Sequence, residues 1–176
     1  MSKILILGSS GAGKSTFSKR LGKLLNIEVV HLDFYYWKPN WINTPRKEWK
    51  EKLKDLLKKD CWIMDGNYAN SLDLRLKHAD TVIFLDSNRF FCLWRCFKRF
   101  VKYRGHVRPD LAEGCYEKFD WEFFKWIWNY PVDIKPQIMK TLGSVSNNKT
   151  IIRLLYNREV NNFLRHDVWN LTNYYK

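Results

Sequence analysis

No apolar run in the sequence approaches the ~20 residues that a membrane-spanning helix needs, which excludes a helical membrane protein. Cysteine is scarce. The four that occur, Cys61, Cys92, Cys96 and Cys115, form no paired framework. Cys92 and Cys96 stand at i, i+4, but no second His or Cys pair has metal spacing, so free thiols in a reducing cytoplasm are the better reading. No internal repeat or low-complexity tract is present, and no helix-turn-helix, zinc-finger or RNP signature. Acidic residues are few: 18, against 31 lysines and arginines, a net charge of +13. A basic surface attracts polyanions, whether nucleotide phosphates, RNA or DNA, and composition does not choose among them. The first strand begins at the start of the chain, so no signal peptide is expected. The length of 176 residues predicts one domain, 1–176, with a sizeable core.

What the sequence does contain is GSSGAGKS over Gly8–Ser15, a full match to the phosphate-loop pattern G-x-x-x-x-G-K-[ST]. It stands in the right context. Lys3–Leu7 (KILIL) reads as a buried strand, and Thr16–Leu25 carries Phe17, Leu21, Leu24 and Leu25 at helical spacing. Gly8, Gly11 and Gly13 allow a tight turn and close approach to a ligand. The amides of Ser9, Ser10, Ala12 and their neighbours, up to Ser15 and Thr16 at the helix start, then form a concave anion site. Lys14 would reach the β- and γ-phosphates and the Ser15 hydroxyl would ligate Mg²⁺. ATP and Mg²⁺ are the expected cofactors, although such a loop reads phosphates and not the base.

The rest of the chain alternates strand and helix. Ile27–Leu32 reads as a second strand ending at Asp33, Cys61–Met64 as a third ending at Asp65-Gly66, Thr81–Leu85 as a fourth, and Thr150–Leu155 as a fifth. Thr44 with Pro45 is expected to start a helix whose stripe is Trp49, Leu53, Leu56 and Leu57. Ser87 or Asn88 starts another to about Tyr103. A polar stretch from Arg104 precedes a tryptophan-rich helix over about Glu117–Asn129. Pro131 and Pro136 are expected to break or kink the chain beyond that helix, and the last helix runs Arg158–Leu164. Alternation of this kind predicts an α/β fold, a parallel sheet with helices on both faces.

Beyond the phosphate loop, the segments HLD at 31–33, WKPNW at 37–41, DGNY at 65–68, LDLRL at 72–76, TVIFLD, CLWRCFKR at 92–99, RPDLAEGC and WEFFKWIWN resemble the DNA topology modulation (FlaR-type) family. That family lies within the adenylate-kinase-like P-loop small-molecule kinases, and the resemblance covers nearly the whole chain. It implies a three-layer P-loop fold with strand order 2-3-1-4-5 and a short lid at about 104–117. It also implies an ATP-dependent phosphotransferase, with a continuous basic helix after WEFFKWIWN.

Strand 3 would then lie beside the P-loop strand, so Asp65 joins Ser15 as a Mg²⁺ ligand or, failing that, caps a turn. Asp33, one strand further out, would meet the acceptor hydroxyl and take its proton, or be a turn residue. Arg95 and Arg99 share a helix face, and Arg95 resembles the first lid arginine of adenylate kinases. Both, with Lys14, would stabilise charge on the transferring phosphoryl group, and Arg95 would bind the nucleotide. A solvated basic face is the alternative for them. Arg104 and Arg108 belong to the lid. Tyr36, Trp37, Gly66 and Tyr68 are candidates for the acceptor pocket, or for core packing, and Arg46 and Arg75 for binding an anionic acceptor. Trp121, Trp126 and Trp128 read as packing between helices. The acceptor is expected to be nucleoside- or nucleotide-like. The competing function is a nucleic-acid-binding protein that uses ATP as a switch and modulates DNA topology indirectly; a third is nucleotide binding without turnover.

Overall fold

The computed structural model describes residues 2–168. Its strands are β1 (Lys3–Gly8), β2 (Val29–His31), β3 (Trp37–Lys38), β4 (Ile42–Asn43), β5 (Trp62–Asp65), β6 (Thr81–Leu85) and β7 (Thr150–Leu154). Five of them form one parallel sheet in the order β2-β5-β1-β6-β7. Numbered among themselves, these five run 2-3-1-4-5, the expected order, with the P-loop strand central. The helices are α1 (Lys14–Leu25), α2 (Leu32–Tyr36), α3 (Arg46–Leu57), α4 (Leu72–His78), α5 (Arg89–Tyr103), α6 (Trp121–Asp133), α7 (Lys135–Val145) and α8 (Asn157–Asn162).

β1 shows why the molecule has three layers. Its side chains alternate across the sheet. Leu5 and Leu7 enter one core with Trp49, Leu53 and Leu57 of α3, Leu72 and Leu76 of α4, and Ile138 and Leu142 of α7. Ile4 and Ile6 enter the other with Phe17 and Leu21 of α1, Cys92 and Cys96 of α5, and Phe163. A strand apolar at four successive positions, Ile4 to Leu7, is what a sheet covered on both faces requires.

Several boundaries depart from expectation. The second strand stops at His31 and Leu32 opens α2, so Asp33 lies in the first turn of a short helix and not at a strand end. Thr44 does not cap α3: its hydroxyl donates to the Tyr36 carbonyl at 2.6 Å, and Pro45 takes the cap position. That bond ties down the small flap made by β3 and β4, which pair antiparallel. The tryptophan-rich helix starts later, at Trp121, because Asp120 accepts from the Phe123 N–H at 3.1 Å. Pro131 does not end it. The residue falls inside the C-terminal part of α6, where it removes the i→i−4 hydrogen bond to Ile127, and the helix nevertheless runs on to Asp133, with the Ile134 N–H donating to the Tyr130 carbonyl at 3.1 Å. The chain turns at Ile134, and Pro136 sits in the first turn of α7, where proline is tolerated. Among the described residues the last helix is α8, which widens into a π turn over Phe163–Asp167.

Segment 104–117, expected to form a lid, is a narrow bridged loop. Arg104 pairs with Glu117 and Val107 with Tyr116, and the Glu117 N–H donates to the His106 carbonyl at 2.9 Å.

Candidate active site

The P-loop joins β1 to α1. Gly11 has φ +78°, and a Cβ there would stand 2.2 Å from the Cys92 carbonyl oxygen, so the loop is pressed against the start of α5. Gly13, at φ +97°, takes the cap position of α1, and no side chain caps that helix. Its first amides are therefore available to an anion. The Lys14 ammonium lies across the loop, donating to the Gly8 carbonyl at 2.9 Å and the Ser9 carbonyl at 3.1 Å. Burial pushes its pKa down, against the pull of the Asp33 and Asp65 carboxylates. A buried ammonium whose hydrogen bonds go to its own loop is suited to an anionic ligand, which would favour its charged form.

Asp65 ends β5 beside Ile6 of β1 and His31 of β2. It is buried, and His31 Nδ1 lies 3.0 Å from both its oxygens. Burial works against a charge on His31, but the Asp65 hydrogen bond and charge outweigh it and raise the imidazole pKa. Asp33 is bound differently. Its Oδ1 accepts the Tyr68 hydroxyl at 2.5 Å, and the carboxylate lines an open cleft of about 690 Å³ together with Ser10 and Lys14. Burial and the Asp33 charge raise the Tyr68 pKa, so the phenol stays a donor.

The loop between β5 and α4 holds this pair together. The Asn67 side-chain oxygen accepts from the Gly8 N–H at 3.1 Å, which fastens the loop to the P-loop. Tyr68 is held at φ +29°, an unusual value for a bulky residue. Beneath it lies Arg75, fully buried. Its guanidinium donates to the carbonyls of Gly66 (2.7 Å), Asn67, Tyr68 (2.9 Å) and Ser71 (3.4 Å). Arg75 therefore supports the loop from below and is not presented to an acceptor.

The other arginines separate. Arg95 Nη1 donates to the Gly11 and Ala12 carbonyls at 3.3 and 3.4 Å, and Nη2 to Asn157 at 2.7 Å; it braces the loop from the α5 side and does not line the cleft. Arg99 and Arg108 both line the cleft, and one carboxylate joins them. Glu117 Oε1 accepts from Arg99 Nε and Oε2 from Arg108 Nε, each at 3.0 Å. Arg108 also donates to Asp110 at 3.2 Å. Arg104 and Arg46 are exposed and outside the cleft lining.

Trp37, Gly66 and Tyr68 line the cleft, whereas Tyr36 packs beneath, against Trp49 and Tyr68 with ring centroids 5.1 and 4.4 Å away. Trp126 reaches the cleft wall, Trp128 of α6 meets Phe90 of α5 edge to face with centroids 5.5 Å apart, and Trp121 is exposed. Arg89 lies 4.0 Å over the Trp128 ring. The flap and segment 104–117 meet beside the cleft. Trp41 Nε1 donates to the Tyr116 carbonyl at 2.8 Å and the Asn40 N–H to the Gly114 carbonyl at 2.9 Å. Sequence reasoning missed Asn67 and Glu117, whereas Trp41 belongs to the aromatic run after Asp33 that it did single out. Asn67 had a signal, its place directly after Asp65-Gly66; a single glutamate in a basic stretch had none.

No family model matches the chain. It is 33% identical over 126 residues, 70% of this chain and 69% of the other, to the uncharacterized protein YqaC of Bacillus subtilis (strain 168). The chain belongs to that protein's family. Among solved structures it is similar to a shikimate kinase from Bacteroides thetaiotaomicron, with TM-score 0.53 and 14% identity over 97% of this chain and 98% of that one. It is also similar to a gluconokinase from Sinorhizobium meliloti 1021, with TM-score 0.53 and 14% identity over 97% and 95%. A shikimate kinase from Acinetobacter baumannii, solved in complex with shikimate, gives TM-score 0.54 and 14% identity over 100% and 96%. At such identities the likeness is one of fold. The chain has the fold of the P-loop small-molecule kinases.

Proposed function

We propose that the protein is an ATP-dependent phosphotransferase that phosphorylates a hydroxyl group of a small molecule bound in the cleft. One observation carries this. Lys14 of the P-loop and the Asp33 carboxylate line the same cleft, so a phosphate-binding group and a proton-accepting group face one space. The fold neighbours named as kinases support the class.

The residues fit Mg²⁺ and ATP. The uncapped start of α1 and Lys14 suit the phosphates; Ser15 and Asp65 offer the hard oxygen ligands that Mg²⁺ takes alongside phosphate and water. Bound there, Mg·ATP supplies the phosphoryl group and neutralises part of its charge. The chain's own side chains do the rest. Lys14 offsets charge on the phosphates, and Arg99, at the cleft wall, adds to it when it leaves Glu117. Tyr68 fixes Asp33 through Oδ1, leaving Oδ2 to orient the acceptor hydroxyl and take its proton. The flap and lid, already joined at Trp41 and Asn40, keep water from competing with that hydroxyl.

The whole chain acts as one domain with its lid at 104–117, and the free, buried thiols of Cys92, Cys96 and Cys115 suit a reducing cytoplasm. Among the described residues no helix is long and apolar enough to cross a membrane. The FlaR-type resemblance adds a family label without a mechanism. The charge of +13 does not by itself call for DNA, since Lys14, Arg75, Arg99 and Arg108 are engaged inside the fold. The test is thermal stability with Mg·ATP, followed by acceptor-dependent ADP release. Absence of any shift at millimolar Mg·ATP rejects the reading. Asp33→Asn should bind Mg·ATP as the wild type does and lose about 10²–10⁴-fold in acceptor-stimulated turnover.

A further inference from the structure

A kinase cleft that binds a phosphorylated or carboxylate acceptor needs a cation that is free to meet it, since a desolvated anion without a partner is costly. Here the arginines are committed. Arg75 is buried under the loop with four carbonyls around its guanidinium. Arg99 and Arg108 share the two oxygens of Glu117, and Arg108 also meets Asp110. Lys14 is held by its own loop. The lining cation that remains, Lys118, is exposed, so water and salt screen its charge, and Asp120 stands in the same lining. The lining also holds Asp33 and Glu117, so carboxylates nearly match cations.

The remaining wall is aromatic. Trp37 and Trp41 meet edge to face with centroids 5.5 Å apart, and Tyr68, Phe123 and Trp126 complete the lining. Trp41 is fixed by its bond to the Tyr116 carbonyl. Flat, oriented aromatic faces favour a planar ring, and Asp33 favours a hydroxyl.

We propose, building on the kinase reading, that the acceptor is an uncharged, ring-bearing polyol of nucleoside type, and that the Glu117 clamp on Arg99 and Arg108 excludes anionic acceptors such as nucleoside monophosphates and sugar acids. Specificity then arises from occupied cations as much as from the pocket's shape. Arg99 can turn to the transferring phosphoryl group while Glu117 retains Arg108, so no guanidinium is left over for an anion on the acceptor.

The experiment titrates the protein saturated with Mg²⁺ and a non-hydrolysable ATP analogue, so that the P-loop is filled, with adenosine, guanosine, cytidine, uridine and thymidine, with their 5′-monophosphates, and with shikimate and gluconate, following tryptophan fluorescence. At least one nucleoside should bind tenfold or more tightly than its own monophosphate and than either acid. Trp37→Ala should weaken that binding at least tenfold. Glu117→Gln should narrow the gap by strengthening monophosphate binding. Failure of every nucleoside to bind, equal or tighter binding of a monophosphate or sugar acid, or indifference to Trp37→Ala overturns the proposal. A parallel thermal shift with Mg·ATP alone separates the two readings. If that shift is present and the nucleosides fail, only the acceptor class falls; if it is absent, the kinase reading falls first.

Discussion

Removing Arg75 should damage both stability and nucleotide binding, although the residue lies outside the cleft lining. Arg75→Met keeps much of the side-chain volume and deletes the guanidinium. Four carbonyls lose their donor: Gly66, Asn67, Tyr68 and Ser71. A hydrogen bond to a charged donor contributes about 1.5–3 kcal/mol, so a plain sum overshoots. Two corrections reduce it. Burying the cation carries a desolvation cost that the mutation removes, and the carbonyls of the cleft-lining segment 66–68 can recover water. Breaking a buried charged network typically costs about 3–5 kcal/mol, which for a chain of this length lowers Tm by roughly 6–20 °C. Arg75→Lys should fall between, because an ammonium cannot fork to carbonyls on both sides. Urea unfolding of the three proteins gives the stabilities. A second readout is Mg·ATP affinity. Once the loop relaxes, the Asn67 bond to the Gly8 N–H is no longer positioned, and the affinity should drop in Arg75→Met. A stability loss under about 1 kcal/mol, or an Arg75→Lys variant matching wild type in both measurements, refutes this account of the loop.

Lys14→Met should abolish the Mg·ATP-induced thermal shift while leaving the unliganded protein at least as stable as wild type, because burial already works against the Lys14 charge; scanning calorimetry with and without Mg·ATP checks both. In the native protein a thiol reagent should label Cys61, which is exposed, and spare Cys92, Cys96 and Cys115 until the protein is unfolded. The same burial pushes the Cys92 thiol up to about 11. The folded state then holds a proton that an unfolded cysteine loses near pH 8.5, so stability should fall as pH rises from about 8.5 towards 11, and Cys92→Ala should flatten that slope. Duplex DNA should bind weakly and lose affinity steeply with salt; tight binding at physiological salt would favour the nucleic-acid reading.

The P-loop was legible because its motif, strand and helix are contiguous, and local chemistry fixes all three. The strand order came from resemblance, not from periodicity, since neighbours in the sheet are distant in sequence. Sequence pattern puts Asp33 at a strand end because His31-Leu32 and the aromatic run after it carry β-type residues; tertiary packing of Leu32 into the core turns the segment helical instead. Arg75 shows a signal that could have been used. In LDLRL it stands three residues after Leu72 and one before Leu76, on the stripe those leucines define, and an arginine in an apolar stripe must find buried acceptors. Glu117 had no such signal. Its partners lie 18 and 9 residues away and meet it only when the lid folds back on α5.

The proposed division of labour between Asp33 and Asp65 follows the order of the strands that carry them. Both carboxylates act on the Lys14 ammonium. Asp65 stands on β5, next to the P-loop strand, and its oxygens are buried against His31, which suits a ligand that is displaced only by a stronger cation. Asp33 follows β2, one place further out, and is held by a neutral phenol at the edge of the cleft, which suits a group that must gain and lose a proton. If the roles were exchanged, the metal would sit over the acceptor pocket and the base would be sealed beneath the sheet edge with an imidazole on both oxygens. The partner of each carboxylate, imidazole or phenol, thus supports the same assignment that the order of the strands supports.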